Sequence, residues 1–162
     1  MKKLFILIVT FLFLLSMSAC SKNLLSFISD EEKPNTNFYT EQLVKDLKET
    51  EDMSFETNVV YMNFYKGKIL SKEEKKLVYK FLNSLEEKNF IESPSDLPEK
   101  IKYKVYITLD KSKYVINVYN DTYAALYPWD GDYPMDFISM KDTYPAYNLF
   151  GLCKHFISKL KE

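Results

Sequence analysis

Short runs of alternating apolar and polar residues fill the middle of the chain, and a period of two is that of a β-strand with one buried face. The alternation predicts five strands, at residues 57–65, 103–109, 114–118, 122–127 and 135–140. Gly67 is expected to end the first of them, and Asp130-Gly131 suits a tight reversal with positive φ between the last two. Because short loops join the last four strands, an antiparallel meander is their simplest arrangement.

Three other segments carry apolar residues at spacings of three and four, which is the period of an amphipathic helix. The first begins after Thr40, a candidate N-cap. The second, residues 72–88, starts at a capping box of Ser71 and Glu74, and the third covers residues 146–161. The order of helix, strand, helix, four strands and helix predicts an α+β two-layer sandwich. We expect a mainly antiparallel sheet of about five strands, with helices packed on one face.

The start of the chain follows neither period. Lys2 and Lys3 precede an apolar run from Leu4 to Leu15, and small residues then lead to Cys20. Positive, apolar and small-residue regions in this order are those of an export signal. As a helix, the sixteen residues from 4 to 19 would span roughly 24 Å, which is short of the bilayer's hydrocarbon core of about 30 Å. Residues 1–19 are therefore predicted to be a signal peptide.

The last residues of this signal resemble the lipobox of bacterial lipoproteins. Ser18, Ala19 and Cys20 match its pattern, whereas Met17 stands where the family prefers Leu. The resemblance implies that the Cys20 sulfur is acylated, for example with palmitate, and that Cys20 becomes the N-terminus at the outer face of the cytoplasmic membrane. Ordinary cleavage after Ser18 and an uncleaved anchor are the alternatives.

A polar segment without periodicity, interrupted by Pro34, separates the signal from the predicted elements. Such a composition is typical of a linker. We therefore divide the chain into a lipoprotein signal peptide at residues 1–19, a tether at 20–38 and a single extracytoplasmic domain at 39–162.

The charged residues exclude one large functional class. All 22 basic residues are lysines, and 23 acidic residues bring the net charge to −1. The chain has no guanidinium group for bidentate phosphate contacts, and it lacks the basic balance of a nucleic-acid-binding protein. The lysine-rich, arginine-free composition, taken with the signal, resembles small lipoproteins of unknown function from low-GC Gram-positive bacteria, which implies no particular activity.

Groups suited to catalysis or metal binding are few. The single histidine, His155, lies two residues from Cys153 on the same predicted helix, about 200° away around the helix axis. The two side chains therefore cannot form a nucleophile and base pair. With Cys20 acylated, Cys153 has no disulfide partner and is expected to be a small core residue. We assign no catalytic residue, no metal ligand and no cofactor.

The segment from Asp121 to Asp142 is rich in acidic and aromatic residues. Its rings could stack on sugar faces while its carboxylates accept hydrogen bonds from hydroxyl groups. The candidate ligand-binding residues are Trp129, Asp130, Asp132 and Tyr133. The alternative is that the rings belong to the core and the aspartates form turns. A calcium site is a weaker alternative, because Gly131 occupies the second place of Asp130-Gly131-Asp132 where an EF-hand loop needs glycine at the sixth.

These observations predict a lipid-anchored protein that binds a cell-envelope component, either a wall glycan or a partner protein, without catalysis. The alternative is a hydrolase of cell-wall glycan that uses Asp130, Asp132 or Asp136. Two such carboxylates would have to lie about 5 to 10 Å apart across the scissile bond. A third alternative is a structural subunit of an envelope complex. The expected partners are membrane lipid, through Cys20, and the wall or an envelope protein.

Overall fold

The computed structural model describes residues 32–50 and 53–159. Within them, seven strands form one antiparallel sheet in the order β2-β1-β4-β5-β6-β7-β3. The strands are β1 (Glu56–Tyr61), β2 (Lys66–Ile69), β3 (Phe90–Ile91), β4 (Tyr103–Thr108), β5 (Lys113–Val118), β6 (Tyr123–Pro128) and β7 (Asp136–Ser139). The helices are α1 (Phe38–Glu49), α2 (Lys72–Asn83) and α3 (Leu149–Ser158), with 3₁₀ turns at Glu87–Asn89 and Pro145–Tyr147. The predicted α+β class and the β4–β7 meander are confirmed.

The hydrophobic core lies between the helices and one face of the sheet. On β4, Tyr103, Val105 and Ile107 are buried and alternate with more exposed residues, as the period of two predicts. The helices contribute stripes of buried side chains to the same cluster: Leu43, Leu47, Val78, Phe81, Leu82, Leu149, Leu152, Cys153 and Phe156. One face of the sheet is thus covered by all three helices.

The prediction of a single strand over residues 57–65 was wrong, because the chain turns back at Met62–Tyr65 and forms a second strand. Tyr65 adopts φ 50°, a left-handed conformation that lets a tight turn form without glycine. Gly67 therefore does not end a strand; it lies in β2 and pairs with Val60. The two-residue strand β3, which pairs with β7, was also missed because two residues carry no readable period.

The helix boundaries differ from the predicted ones in three places. Helix α1 begins after Asn37, so that Thr40 is a buried residue inside it and not its N-cap. Helix α2 ends at Asn83, five residues before the predicted end. Its predicted capping box is confirmed: the Glu74 N–H donates to the Ser71 hydroxyl at 3.3 Å, and the Ser71 N–H donates to the Glu74 carboxylate at 3.1 Å. Helix α3 is preceded by a 3₁₀ turn and capped by the Asn148 side chain.

The predicted signal peptide, Cys20 and most of the predicted tether lie outside the described residues. The compact unit begins at Lys33, whose ammonium group lies 2.6 Å from the Asp136 carboxylate. The folded unit therefore includes residues that the sequence assigned to the end of the tether. No helix within the described part of the chain is long and apolar enough to cross a bilayer.

Candidate functional site

The sheet face opposite the helices, here called the open face, presents side chains from the central strands. Because the core residues of β4 alternate with Tyr106, the Tyr106 side chain lies on the open face. Cross-strand partners share a face, so the pairing of Tyr106 with Val115 and of Val115 with Tyr127 places all three there in one row. Val115 is 1% exposed yet does not belong to the core cluster under the helices, which agrees with this placement.

A second row crosses the same face two residues farther along each strand. It runs through Lys104, Asn117, Ala125 and Phe137 on the four strands β4 to β7. Asn117 and Ala125 are buried although none of the helices described at residues 32–50 and 53–159 covers this side. The Asn117 amide group donates to the Met135 sulfur at 3.9 Å, and its carbonyl oxygen has no hydrogen-bond partner. The open face therefore has a closely packed floor between its exposed side chains.

The tyrosine hydroxyl groups on this face lie near one another. Burial raises the pKa of Tyr106, and the neighbouring Tyr127 hydroxyl raises it further. Burial also raises the pKa of Tyr119; a hydrogen bond with Asn117 opposes this effect and Tyr127 adds to it. The Tyr106 and Tyr119 phenols, whose pKa values are raised, thus stay neutral at physiological pH and can donate hydrogen bonds to a ligand.

Lys113 and Trp129 are exposed residues of the open face. The backbone N–H of Trp129 donates to the Lys113 carbonyl oxygen at 2.8 Å, which continues the β5–β6 pairing by one residue pair. The Lys113 ammonium lies 5.0 Å from the Trp129 ring centre and 5.9 Å from that of Tyr106, so that cation–π contacts join the three side chains. The Trp129 side chain is 66% exposed, and its contacts are the backbone bond to β5 and the cation–π contact with Lys113.

The structure separates the four predicted ligand-binding residues. Trp129, Asp130 and Asp132 are exposed, whereas Tyr133 is half-buried. The Tyr133 ring lies 5.4 Å from that of Phe38, and its N–H donates to the Tyr39 hydroxyl at 2.6 Å. Tyr133 therefore packs on α1, on the helix side of the sheet, while Trp129 joins Tyr106 and Lys113 on the open face.

Gly131 is required for close packing and not for a special backbone angle, so the predicted positive φ was wrong. A Cβ atom at this position would lie 2.7 Å from the Pro128 side chain and 2.7 Å from the Tyr39 hydroxyl. The loop from Trp129 to Met135 can approach α1 this closely only without a side chain there.

Asp136, a candidate catalytic carboxylate in the sequence, is fully buried and bound on both oxygens. Its Oδ2 accepts hydrogen bonds from the Thr40 N–H at 2.6 Å and the Thr40 hydroxyl at 2.8 Å. Its Oδ1 is paired with Lys33 at 2.6 Å. Asp136 thus caps the N-terminus of α1 from the neighbouring strand, which is a structural role.

The remaining candidate groups have structural surroundings as well. Cys153 is fully buried, and burial raises the pKa of its thiol well above the usual value, which suppresses thiolate reactivity. His155 is exposed on α3. Within the described residues, no cluster of three or more His, Cys, Asp or Glu side chains could hold a metal ion.

A groove of about 560 Å³ lies on the helix side, between the end of α1 and the β4–β5 turn. Asp46 lines it and accepts hydrogen bonds from the Ser112 and Tyr114 hydroxyls, both at 2.9 Å. Burial, and then the contact with Asp46, raises the pKa of Tyr114. These contacts use the carboxylate to join α1 to the hairpin, so we regard the cluster as structural.

Sequence reasoning found Trp129 but missed Tyr106, Lys113 and Tyr127 as its neighbours. The available signal was the composition of the strands. On β4 and β6 aromatic residues occur at positions that alternation assigns to the solvent side, whereas a strand with one solvated face usually carries polar residues there. Their assembly into one surface, however, depends on the strand order.

Comparison with known proteins places this architecture in a family. Residues 33–153 match the model of a family described as a domain of unknown function, DUF4883. The crystal structure of a putative lipoprotein from Clostridium perfringens is similar, with 32% sequence identity and a TM-score of 0.69. The alignment covers 78% of this chain and 99% of that chain. No curated protein matches the chain.

Proposed function

The chain belongs to the DUF4883 family of domains of unknown function, and we propose that it is a lipid-anchored, non-catalytic module that binds cell-wall glycan with the open face of its sheet. The anchor would be acylated Cys20, at the outer face of the cytoplasmic membrane. Two observations support it: the lipobox-like residues Ser18, Ala19 and Cys20, and the lipoprotein description of the similar Clostridium perfringens protein.

The observation that carries the binding proposal is the exposed Trp129 ring held on the open face by Lys113. Planar aromatic rings pack against the apolar faces of sugars, and an exposed ring offers such a surface without rearrangement of the core. The hydroxyl groups of Tyr106 and Tyr127 lie on the same face and can bond to sugar hydroxyls.

Trp129 is followed in the chain by two carboxylates that can accept hydrogen bonds from sugar hydroxyls. Asp130 and Asp132 are exposed, and the segment from Asp121 to Asp142 contains a single basic residue, Lys141. Aromatic rings beside a small number of polar groups are the usual composition of a small-molecule site. The neutral, hydroxyl-rich glycan strands of the wall fit this chemistry.

The experiment is a titration of the purified full chain with soluble peptidoglycan fragments, followed by tryptophan fluorescence. Trp129 is the single tryptophan, so that any change in emission reports this position. We expect a saturable change in intensity, and sedimentation with insoluble peptidoglycan should show an affinity at least about tenfold lower for Trp129→Ala.

Tyr144→Ala is the matched control, because this aromatic residue is equally exposed, at 68%, but lies outside the open face. It should bind peptidoglycan like the unmodified chain. Equal binding by Trp129→Ala in a folded protein, or equal losses for both variants, would contradict the proposed site.

A further inference from the structure

The turn between β1 and β2 exposes two large apolar side chains. Phe64 is 72% exposed and Tyr65 is 79% exposed, and they are adjacent in the chain. Exposed apolar residues scattered singly are normal on a protein surface, whereas two large aromatic side chains exposed on one short turn indicate a surface that meets another apolar phase. We refer to Met62–Tyr65 as the hairpin tip.

The hairpin tip is attached to the core through a series of ring contacts. The Phe64 ring lies 5.7 Å from that of Tyr61, and Tyr61 lies 5.3 Å from Tyr103. Tyr103 in turn contacts Phe150 of α3 at 5.5 Å. Tyr65 adopts the left-handed conformation, with φ 50°, which a non-glycine residue takes only at a cost in energy. The aromatic pair is thus presented on a defined turn.

The two chain segments beside the hairpin tip are rich in lysine. The Met62 N–H donates to the Lys102 carbonyl oxygen at 3.0 Å, so the segment before β4 lies beside the tip. Residues 62–69 and 100–104 contain no acidic residue and five lysines, namely Lys66, Lys68, Lys100, Lys102 and Lys104.

Acidic residues near the tip offset only part of this charge. Lys68 is paired with Glu74 at 2.6 Å, and Glu99 precedes the second segment. The Lys102 ammonium lies 5.3 Å from the Tyr61 ring centre. Exposed aromatic rings with a surplus of positive charge complement an anionic bilayer, because rings enter the headgroup region while lysines contact lipid phosphates.

We propose that the hairpin tip docks on the anionic surface of the membrane, with Phe64 and Tyr65 in the headgroup region and the lysines on lipid phosphates. This inference rests on the proposed location at the membrane but not on glycan binding. The covalent chain permits such docking, since the twelve residues between Cys20 and Lys33 can extend over about 40 Å. A folded unit with the number of residues from Lys33 to Glu162 has a radius of gyration of about 14 Å, which is shorter than this reach.

The test uses the full acylated chain with two substitutions, Phe64→Trp and Trp129→Phe, so that its only tryptophan lies at the tip. The chain is reconstituted into vesicles of phosphatidylglycerol and phosphatidylcholine that carry brominated acyl chains, which quench nearby tryptophan. We expect blue-shifted emission and at least twofold quenching, both reduced in vesicles of phosphatidylcholine alone. In the anionic vesicles, the variant that also carries Lys66→Glu and Lys102→Glu should likewise show a smaller blue shift and less quenching.

The matched control is the unmodified chain, because its single tryptophan, Trp129, is exposed and follows β6 at the end of the sheet opposite the tip. It should show little quenching. Vesicle flotation measures anchoring separately, so that a failure of the anchor is distinguished from a failure of the tip. Equal quenching at both positions, or none at position 64 in a chain that floats with vesicles, would overturn the proposal. A concentration-dependent blue shift without lipid would also overturn it, by assigning the tip to contact between copies.

Discussion

Which residue type a position in this domain accepts is often decided by contacts with residues that are distant in the sequence. Gly131 illustrates this, because its surroundings are set by Pro128 and by Tyr39, which lies on another element. The sequence suggested a turn glycine, which is the common reason for Asp-Gly. The structure instead shows a steric requirement that no local pattern could reveal.

We therefore predict that Gly131→Ala lowers the free energy of unfolding by about 1 to 3 kcal/mol, the range found for overpacked sites. The added methyl group would displace Tyr39, which is 3% exposed and belongs to the core. Thermal unfolding followed by circular dichroism measures the change.

Gly151→Ala provides the opposite case for comparison. Gly151 is an exposed residue within α3, and a Cβ atom there would meet no other atom within 4 Å. Alanine should stabilise the helix by up to about 1 kcal/mol. If Gly131→Ala were neutral, or if both substitutions changed stability in the same direction, the steric interpretation would be incorrect.

At the scale of elements, the N-terminus of α2 was predicted correctly because all its determinants are local. Ser71 and Glu74 form the capping box from within four residues of sequence. Lys68 of β2 adds a contact that the sequence did not show, an ion pair with Glu74 at 2.6 Å. This pair joins the edge strand to the helix.

This ion pair should make the stability of the domain depend on pH. Burial alone would raise the pKa of Glu74, but hydrogen bonds from Lys68 and the Ser71 N–H, together with the charge of Lys68, lower it below the ordinary 4.5. A depressed folded-state pKa contributes stability above the ordinary value and loses it as pH falls through the folded one. We expect Glu74→Gln to cost about 0.5 to 1 kcal/mol at pH 7, and close to nothing near pH 2.

Glu73→Gln is the matched control for this helix terminus. The Glu73 side chain is 77% exposed and its pair with Lys76 is on the surface, so its loss should change the melting temperature little at either pH. A similar pH-dependent loss in both variants would assign the effect to the general charge of the helix end and not to Lys68.

The elements that the sequence did not predict depend on features that leave no local pattern of residues. The β1–β2 turn depends on a left-handed Tyr65, which has no sequence signature because non-glycine residues rarely adopt that conformation. The two residues of β3 are strand only because β7 lies beside them. The β4–β5 hairpin, by contrast, was predicted because its alternation and its turn are both local.

At the scale of the whole molecule, the function-related surfaces result from the strand order. Successive side chains of the central strands point to opposite faces of the sheet. Within the described residues, one face is open because all three helices pack on the other. This explains why Trp129 could be named from sequence while its partners could not. Tyr133, four residues later, contacts α1 through Tyr39, which is 94 positions away in the chain.

The proposed acylation site and the folded unit lie in different parts of the chain, so we predict that anchoring and folding are independent. Cys20 precedes the compact unit that begins at Lys33. We expect Cys20→Ala to abolish incorporation of labelled palmitate and to release or misprocess the protein, which fractionation and the mass of the product measure. Its thermal unfolding and its fluorescence response to peptidoglycan fragments should be unchanged, since the folded unit contains the whole open face.

Cys153→Ala distinguishes acylation at Cys20 from labelling of cysteine in general. Cys153 is fully buried in α3, so its loss should leave palmitate incorporation intact while lowering the melting temperature through a small cavity in the core. The two cysteine variants should thus give reciprocal results, with Cys20→Ala changing location and Cys153→Ala changing stability. Palmitate that persists in Cys20→Ala and disappears in Cys153→Ala would show that the lipobox assignment is wrong.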